Sequence, residues 1–543
     1  MPERSAAARD RRQAAHRPVP SREERRTLGL RALAALGTVA AIGVTLLGGG
    51  APAQAAPYPA AAHSGGLGTN LAAVTYYGGN VVFQDLVRQA GDWVPNADGV
   101  PWGEGPRLRL RRDGWPSALV PGQVASTVIA DVRYPSGRYS VTWSGAGTFS
   151  VAGQEFAGRD GRGSVALDGV STVVLDIRAT DPSDPLRDIR VRVPGSGADE
   201  IFRAAYVDQL APYGVLRFMD WQRTNSTAGD PERRFTCGSR VRNGYYSQGT
   251  SRGASVEAMV DLANAVDADP WFTIPHEATS TWIRCHARVV AQRLDPGLTP
   301  RYEFSNETWN PTFIAFHDLT DAARAAGLGG SDAFLGLQIM HARRHAAAMR
   351  VVAGVMDAAD RPFVRVMAGQ AANAWVLEQR LGHAGGAAST DEIAIAPYLG
   401  IPGANPFDAA EAAEIATWTP AQVLVALSRA QEEEVEPWIA DHVALARTEG
   451  KRLVAYEAGQ HLAGDPGNDL LTDLFVRVNR SAGIGSAYRS YLQRWDDLTD
   501  GALLVHFTDV GPYTRFGSWG ALEFPEQAGS PKYDALLRYA ARG

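Results

Sequence analysis

From about residue 200 onward the chain repeats one pattern: a short apolar run, then a longer alanine-rich stretch with Leu and Val at three- and four-residue spacing. The apolar runs are 214–221, 269–276, 300–305, 362–369, 392–398, 452–456 and 501–508. Between them lie helical stretches such as 255–266, 333–359, 420–448 and 468–479. Runs so short and apolar read as buried strands, and the 3.6-residue period between them reads as amphipathic helix. Strand–helix alternation builds a parallel sheet. One earlier run, 70–77, brings the strands to eight, the count of a (β/α)8 barrel. No GxGxxG follows a strand and no P-loop sequence occurs, which makes an open doubly wound sheet the weaker architecture.

The segment 93–199 breaks the pattern. Val173, Leu175 and Ile177 alternate with Val174, Asp176 and Arg178, and Ile189, Val191 and Val193 alternate with Arg190 and Arg192. Period two with charged outer positions marks half-buried antiparallel strands. The expected fold class is therefore α/β: a TIM barrel formed by 69–92 and 200–543, with a small all-β, sandwich-like domain at 93–199. Because 82–89 reads as a helix, the insertion is expected after the first βα unit. Trp102 and Trp143 of the insert are open to two readings, sugar-stacking faces or core.

The N-terminus reads as an address rather than a fold. Residues 1–31 carry nine arginines against Glu3, Asp10, Glu23 and Glu24. The uncharged apolar run 32–47 follows, and then Ala53-Gln54-Ala55. A basic start, a short apolar run and a small-x-small site describe a secretory signal peptide, here 1–55, with 56–68 as linker. Arg25-Arg26-Thr27-Leu28 resembles a twin-arginine signal without its usual Phe. The apolar run is shorter than the roughly 20 residues of a bilayer span, so no permanent membrane anchor is expected. Secretion by the twin-arginine or Sec route is the expectation. The whole chain carries −6, and without its basic leader it is more acidic still, which argues against nucleic-acid binding. Cys237 and Cys285 are the two cysteines. An oxidising destination makes one disulfide their natural pairing, the alternative being two unrelated buried thiols. Without CxxC spacing they make no zinc site, and His341 and His345 lack the Glu of HExxH and read as surface or groove histidines. No metal or organic cofactor is expected, and the chain is expected to be a monomer.

In a barrel of this kind the active site lies at the C-terminal ends of the strands. Those ends supply Arg217, Asp220 and Trp221 from the second strand, His276 and Glu277 from the third, and Asn306 and Glu307 from the fourth. The sixth ends in Tyr398, the seventh in Glu457 followed by Gln460 and His461, and the eighth in Phe507-Thr508-Asp509. Two carboxylates thus follow strands four and seven. The set resembles the large clan of retaining glycoside hydrolases with (β/α)8 barrels, whose acid/base and nucleophile are glutamates on those strands. Ser305-Asn306-Glu307-Thr308-Trp309-Asn310 resembles the clan's Asn-Glu acid/base signature, and Tyr456-Glu457-Ala458-Gly459-Gln460 its nucleophile segment. Leu216-Arg217-Phe218-Met219-Asp220-Trp221 and Pro275-His276-Glu277-Ala278 are similar to segments of secreted bacterial proteins of this type, some labelled cellulose-binding. The tryptophan typical of strand eight is not evident; Trp519 lies further on.

The resemblance implies cleavage of O-glycosidic bonds in a polysaccharide or oligosaccharide by double displacement, with Glu307 as acid/base and Glu457 as nucleophile. That route needs two carboxyls about 5–5.5 Å apart. Arg217 would hold Glu457 ionised. Asp220, Trp221, His276, Asn306, Trp309, Tyr398, His461 and Trp519 are the candidate substrate-binding residues, the aromatic ones as stacking faces. Plainer readings stand beside these. Glu307 fits an acid at a helix N-terminus, Glu457 and Arg217 fit a core ion pair, and His276 fits a satisfied buried histidine. A noncatalytic carbohydrate-binding barrel, or a transglycosylase using the same cleft, are the alternative functions.

Overall fold

The computed structural model describes residues 66–97, 99–197, 200–225 and 235–542. The signal-peptide reading and nearly all of the linker lie outside the described residues. Eight parallel strands close into a barrel: β1 (Leu67–Asn70), β10 (Val215–Arg217), β11 (Asp269–Ile274), β12 (Arg301–Phe304), β13 (Val364–Ala368), β14 (Glu392–Ile395), β15 (Arg452–Ala455) and β16 (Leu504–His506). Seven strands fall inside the runs read from sequence. The first does not: it is Leu67–Asn70, and the apolar run after it is irregular chain. The expected linker, 56–68, therefore runs two residues too far, into this strand. Gly68 explains both the position and its obscurity. A Cβ there would meet Val215 Cβ at 2.9 Å, so the strand needs a residue of low strand propensity.

Side chains alternate across the barrel wall. Leu216, Phe272, Tyr302 and Ile393 face the helices in the main core, whereas Val215, Trp271, Val366, Ala394, Val454, Tyr456 and Val505 cluster within the barrel. Helix boundaries follow side-chain caps. Ser255 accepts from Ala258 N ahead of Val256–Val266, Asp332 from Leu335 N ahead of Ala333–Met356, and Thr419 with Gln422 forms a capping box ahead of Pro420–Ala430. The stretch 420–448 is not one helix. A π-helical turn at Gln431–Val435 separates Pro420–Ala430 from Glu436–Glu449, and Pro437, lacking an N–H, is the second residue after that turn.

Between β1 and β10 the chain is largely β: β2 (Val94–Ala97), β3 (Arg109–Leu110), β4 (Pro116–Ala118), β5 (Gln123–Ala130), β6 (Gly137–Val151), β7 (Gln154–Leu167), β8 (Val173–Thr180) and β9 (Arg187–Arg192). Residues 82–89 hold no α-helix, only a 3-10 turn at Leu86–Gln89, and the α-helix preceding β10 is Ala204–Leu210. The β segment thus interrupts the first βα connection rather than following a complete unit. β6 is long enough to serve twice: its first half pairs with β9, its second half with β8, and β7 runs along both. The bend falls at Gly145, with φ +79°, where a Cβ would strike the Pro185 carbonyl. The alternating Val173, Leu175, Ile177, Ile189 and Val191 fill the core so enclosed, together with Trp143, which settles that residue as packing.

Cys237 and Cys285 form the disulfide, which ties the loop after β10 to the helix Ser280–Arg293. Among the described residues no helix is long and apolar enough to cross a membrane.

Candidate active site

At the C-terminal mouth of the barrel, Arg217 is the centre of a buried polar network. Its Nε and Nη2 donate to Glu303 Oε2 at 3.1 and 2.9 Å, and Nη1 donates to Glu457 Oε1 at 2.8 Å and Asn70 Oδ1 at 3.0 Å. Nη2 also reaches Asn306 Oδ1 at 2.8 Å. Trp271 Nε1 supplies a further donor to Glu303 Oε2 at 2.9 Å. Asn70 completes the ring by donating to the carbonyls of Tyr456 and His506 at 2.9 and 3.3 Å. Four barrel strands therefore meet at one guanidinium, which is wholly buried, and its planar fork suits such convergent acceptors.

Each candidate carboxylate also takes a tyrosine hydroxyl. Tyr398 OH donates to Glu457 Oε2 at 2.9 Å, and Tyr456 OH donates to Glu307 Oε1 at 2.9 Å. Asn310 Nδ2 donates to Glu307 Oε2 at 2.9 Å. Burial pushes both tyrosines well above their usual range, so they act here as hydroxyl donors. Glu307 sits at φ +39° and Ser305 at φ +62°, a sharp turn that lifts the Glu307 carboxylate off the strand. The turn is anchored from behind. Thr308 Oγ1 accepts from Arg380 Nη2 at 2.7 Å and meets His341 Nδ1 at 2.8 Å, while Arg380 lies over the Trp309 ring at 5.2 Å. His341 and His345 are thus buried within the helix Ala333–Met356, not surface or groove residues.

Arg217 favours the ionised form of Glu457, but its single charge is shared with Glu303 and burial opposes it. Burial raises Glu457 to about 8; Arg217 pulls the other way, and the nearby Glu307 carboxylate adds to the rise. Burial likewise raises Glu303, against the pull of Arg217 and the Trp271 N–H.

The remaining candidates divide. Tyr398, His461 and Trp519 form an edge-to-face aromatic group, with His461 at 5.6 Å from Tyr398 and 5.0 Å from Trp519. Phe507 lies 5.8 Å from Trp519, which therefore stands beside the end of β16 although it comes 13 residues after His506. The Ser518 carbonyl fixes that loop by accepting from Gln460 Nε2 at 2.9 Å and Lys532 Nζ at 2.6 Å. Trp309 is mostly covered, edge-on to Tyr456 at 6.1 Å. Trp221 is no stacking face: its ring is 1% exposed, packs on Phe83 and Phe218, and donates Nε1 to the Ala72 carbonyl. Asp220 is half-buried, and burial raises its carboxyl. His276 pairs with Asp318 Oδ2 at 2.8 Å, off the Arg217 network. With Glu277 these two bring potential ligand atoms within 4.8 Å of one another, a group invisible in sequence because Asp318 lies on a separate helix.

Asn70, Glu303 and the Tyr456 hydroxyl are the parts that strand-end reading missed. Glu303 lies inside a strand; its signal was an acid within the otherwise apolar run 302–304.

No protein-family model matches the chain, and no curated protein matches it. Among solved structures it is similar to β-glucuronidase 2 of Bacteroides uniformis, at 8% identity and TM-score 0.32 over 77% of this chain. The match takes in 48% of the glucuronidase, so this chain spans about half the length of that relative. A fungal β-1,4-galactanase is similar at 10% identity and TM-score 0.37, over 62% of this chain and 92% of that one. A broad-specificity endoglucanase from Clostridium acetobutylicum is similar at 10% identity and TM-score 0.33, over 64% and 91%. Likeness of this degree says nothing about activity.

Proposed function

We propose that the protein is a retaining glycoside hydrolase that cleaves O-glycosidic bonds of a polysaccharide or oligosaccharide. The observation that carries the reading is the pair Glu307 and Glu457. They follow the fourth and seventh barrel strands, each bonded to a tyrosine hydroxyl, with Arg217 contacting Glu457 and the Asn306 next to Glu307. Glu307 would protonate the leaving oxygen while Glu457 attacks the anomeric carbon; the covalent glycosyl ester is then hydrolysed by water that Glu307 deprotonates. The attack requires the ionised form of Glu457, which Arg217 favours against the effect of burial. Tyr398 and Arg217 stabilise the carboxylate regenerated when the ester breaks. Asn306 is suited to a sugar hydroxyl, and Tyr398, His461 and Trp519 to a pyranose face.

In this reading the barrel of 69–92 and 200–543 is catalytic, the β segment 93–199 is accessory, and the chain is exported and acts as a monomer without a cofactor. The test is a panel of polysaccharides with product anomers followed by proton NMR. Net retention with release of reducing ends supports the proposal. Inversion removes the double-displacement route, and hydrolysis of nothing in the panel, with sugar binding intact, turns the reading to a noncatalytic binding barrel.

A further inference from the structure

We propose that a groove between the β segment and the barrel mouth is a carbohydrate-chain subsite, which takes a stretch of glycan distant from the bond being cut. The inference deepens the glycoside hydrolase reading and rests on it. The groove has a volume of about 610 Å³ and is lined by Tyr76, Tyr77, Trp102, Asp92, Arg223 and Ser251 among others. That lies within the usual range for ligand clefts, about 300–1,000 Å³.

Its walls combine the two chemistries by which proteins hold pyranoses: open aromatic faces for the apolar C–H side of the ring, and charged groups for its hydroxyls. Tyr77 and Trp102 are each 59% exposed, a large uncovered area for such side chains. Tyr77 is not a loose decoration. Tyr77 stands edge-on to Tyr76 at 4.9 Å, and one edge of the Tyr76 ring abuts Gly91, where a Cβ would meet it at 2.6 Å. The Gly91 carbonyl is held by Tyr246 OH at 2.7 Å and Thr127 Oγ1 at 2.8 Å, so the platform is braced from barrel and β segment together. Asp92 Oδ2 accepts from Ser251 N at 2.9 Å, and Arg223 Nη2 donates to the Val74 carbonyl at 3.3 Å, which fixes both charged groups at the rim.

Position ties the groove to the proposed active site. Tyr76 and Tyr77 follow β1, whose end supplies Asn70, and Arg223 follows β10, whose end supplies Arg217. A sugar polymer leaving the mouth along these two strand ends would pass the groove that Trp102 and Tyr77 line.

The test uses the full chain carrying Glu307→Gln, so that polymers stay intact, with and without Trp102→Ala or Tyr77→Ala. The probes are mixed-linkage β-glucan, β-1,4-galactan and β-1,4-mannan in affinity gel electrophoresis. At least one polymer should retard the parent, and each alanine variant should weaken that retardation at least fivefold while Trp102→Phe keeps most of it. Unchanged melting temperatures check that the exposed substitutions leave the fold intact. Retardation unaffected by Trp102→Ala and Tyr77→Ala, or a parent retarded by none of the polymers, overturns the subsite. The hydrolytic reading is judged separately, by whether the unsubstituted enzyme releases reducing ends. Where it does, Trp102→Ala should lower kcat/KM at least fivefold on the polymer and under twofold on a disaccharide-length substrate. Equal losses on both substrates overturn the subsite and leave the catalytic reading standing.

Discussion

Arg217 Nη1 lies 2.8 Å from Glu457 Oε1, yet the Glu457 carboxyl is raised to about 8, because burial outweighs an arginine divided between two acids. The consequence is a pH-dependent stability. A carboxyl whose folded pKa exceeds its unfolded value near 4.5 keeps its proton in the folded chain after the unfolded chain has lost it. The contribution of this group to stability is therefore full below about 4.5 and is lost as pH rises through about 8. Glu457→Gln abolishes that loss, and Arg217 keeps Glu303 as its partner. The variant should gain a few kcal/mol relative to its parent at pH 8.5 and little at pH 4.5, since each tenfold change in a protonation equilibrium is worth about 1.4 kcal/mol. Calorimetric melting at both values decides it; an equal difference at the two would mean that Glu457 titrates as an ordinary carboxyl.

In the proposed mechanism the two glutamates have separable roles, and azide distinguishes them. Glu307→Ala and Glu457→Ala should each lower kcat on a natural glycoside by at least about 10³-fold, since each removes a group used in the transition state. With an activated aryl glycoside, azide should restore turnover of both. The glycosyl azide should be inverted from Glu457→Ala and retained from Glu307→Ala. The same anomer from both variants would dismantle the assignment.

Arg217 is also a structural keystone. Replacing it by Met strands Glu303 and Glu457 in the barrel without a cation, which should cost about 3–5 kcal/mol in urea unfolding. Adding Glu303→Gln removes one stranded charge and should recover part of that loss. Identical midpoints for single and double variants would show that the two residues do not couple.

The disulfide stabilises a long excursion of the chain. Cys237 and Cys285 are 48 residues apart, and the bond secures the loop after β10 beside the Thr279 cap, whose hydroxyl donates to the Phe235 carbonyl at 2.6 Å. Replacing both by Ser should lower stability by about 2–4 kcal/mol, read from denaturant midpoints. No difference from the parent would show that native contacts alone close this loop.

Much of the site is legible in the sequence because chemistry concentrates where strands end. Arg217, Asn306, Glu307, Tyr398 and Glu457 stand out as polar residues at or after apolar runs; four share one hydrogen-bond network, and Glu307 joins it through Tyr456, over whose ring Arg217 lies at 4.9 Å. What stays hidden has physical causes. β1 escapes pattern reading because Gly68 and Asn70 are poor strand formers required by close packing and by the Arg217 network, while the apolar run after them imitates a strand. Trp221 misleads because an aromatic ring at a strand end turns as readily into the helix layer as into the cleft. Glu303 gives little sign of itself because an acid in a strand interior is tolerated only with a buried cation, and no local pattern announces a partner 86 residues away. Trp519 reaches the mouth through a loop, whose path no periodicity encodes.

The ring is sealed by its earliest piece. Leu67–Asn70 pairs with β10 on one side and β16 on the other, so the first barrel strand to leave the ribosome waits for the last. Until Leu504–His506 arrives, Asn70 has no His506 carbonyl to grip, and β1 offers one bare hydrogen-bonding edge to any neighbouring polypeptide. A transcript cut short before that codon yields no weakened barrel, but an unsealed sheet prone to stick to its siblings.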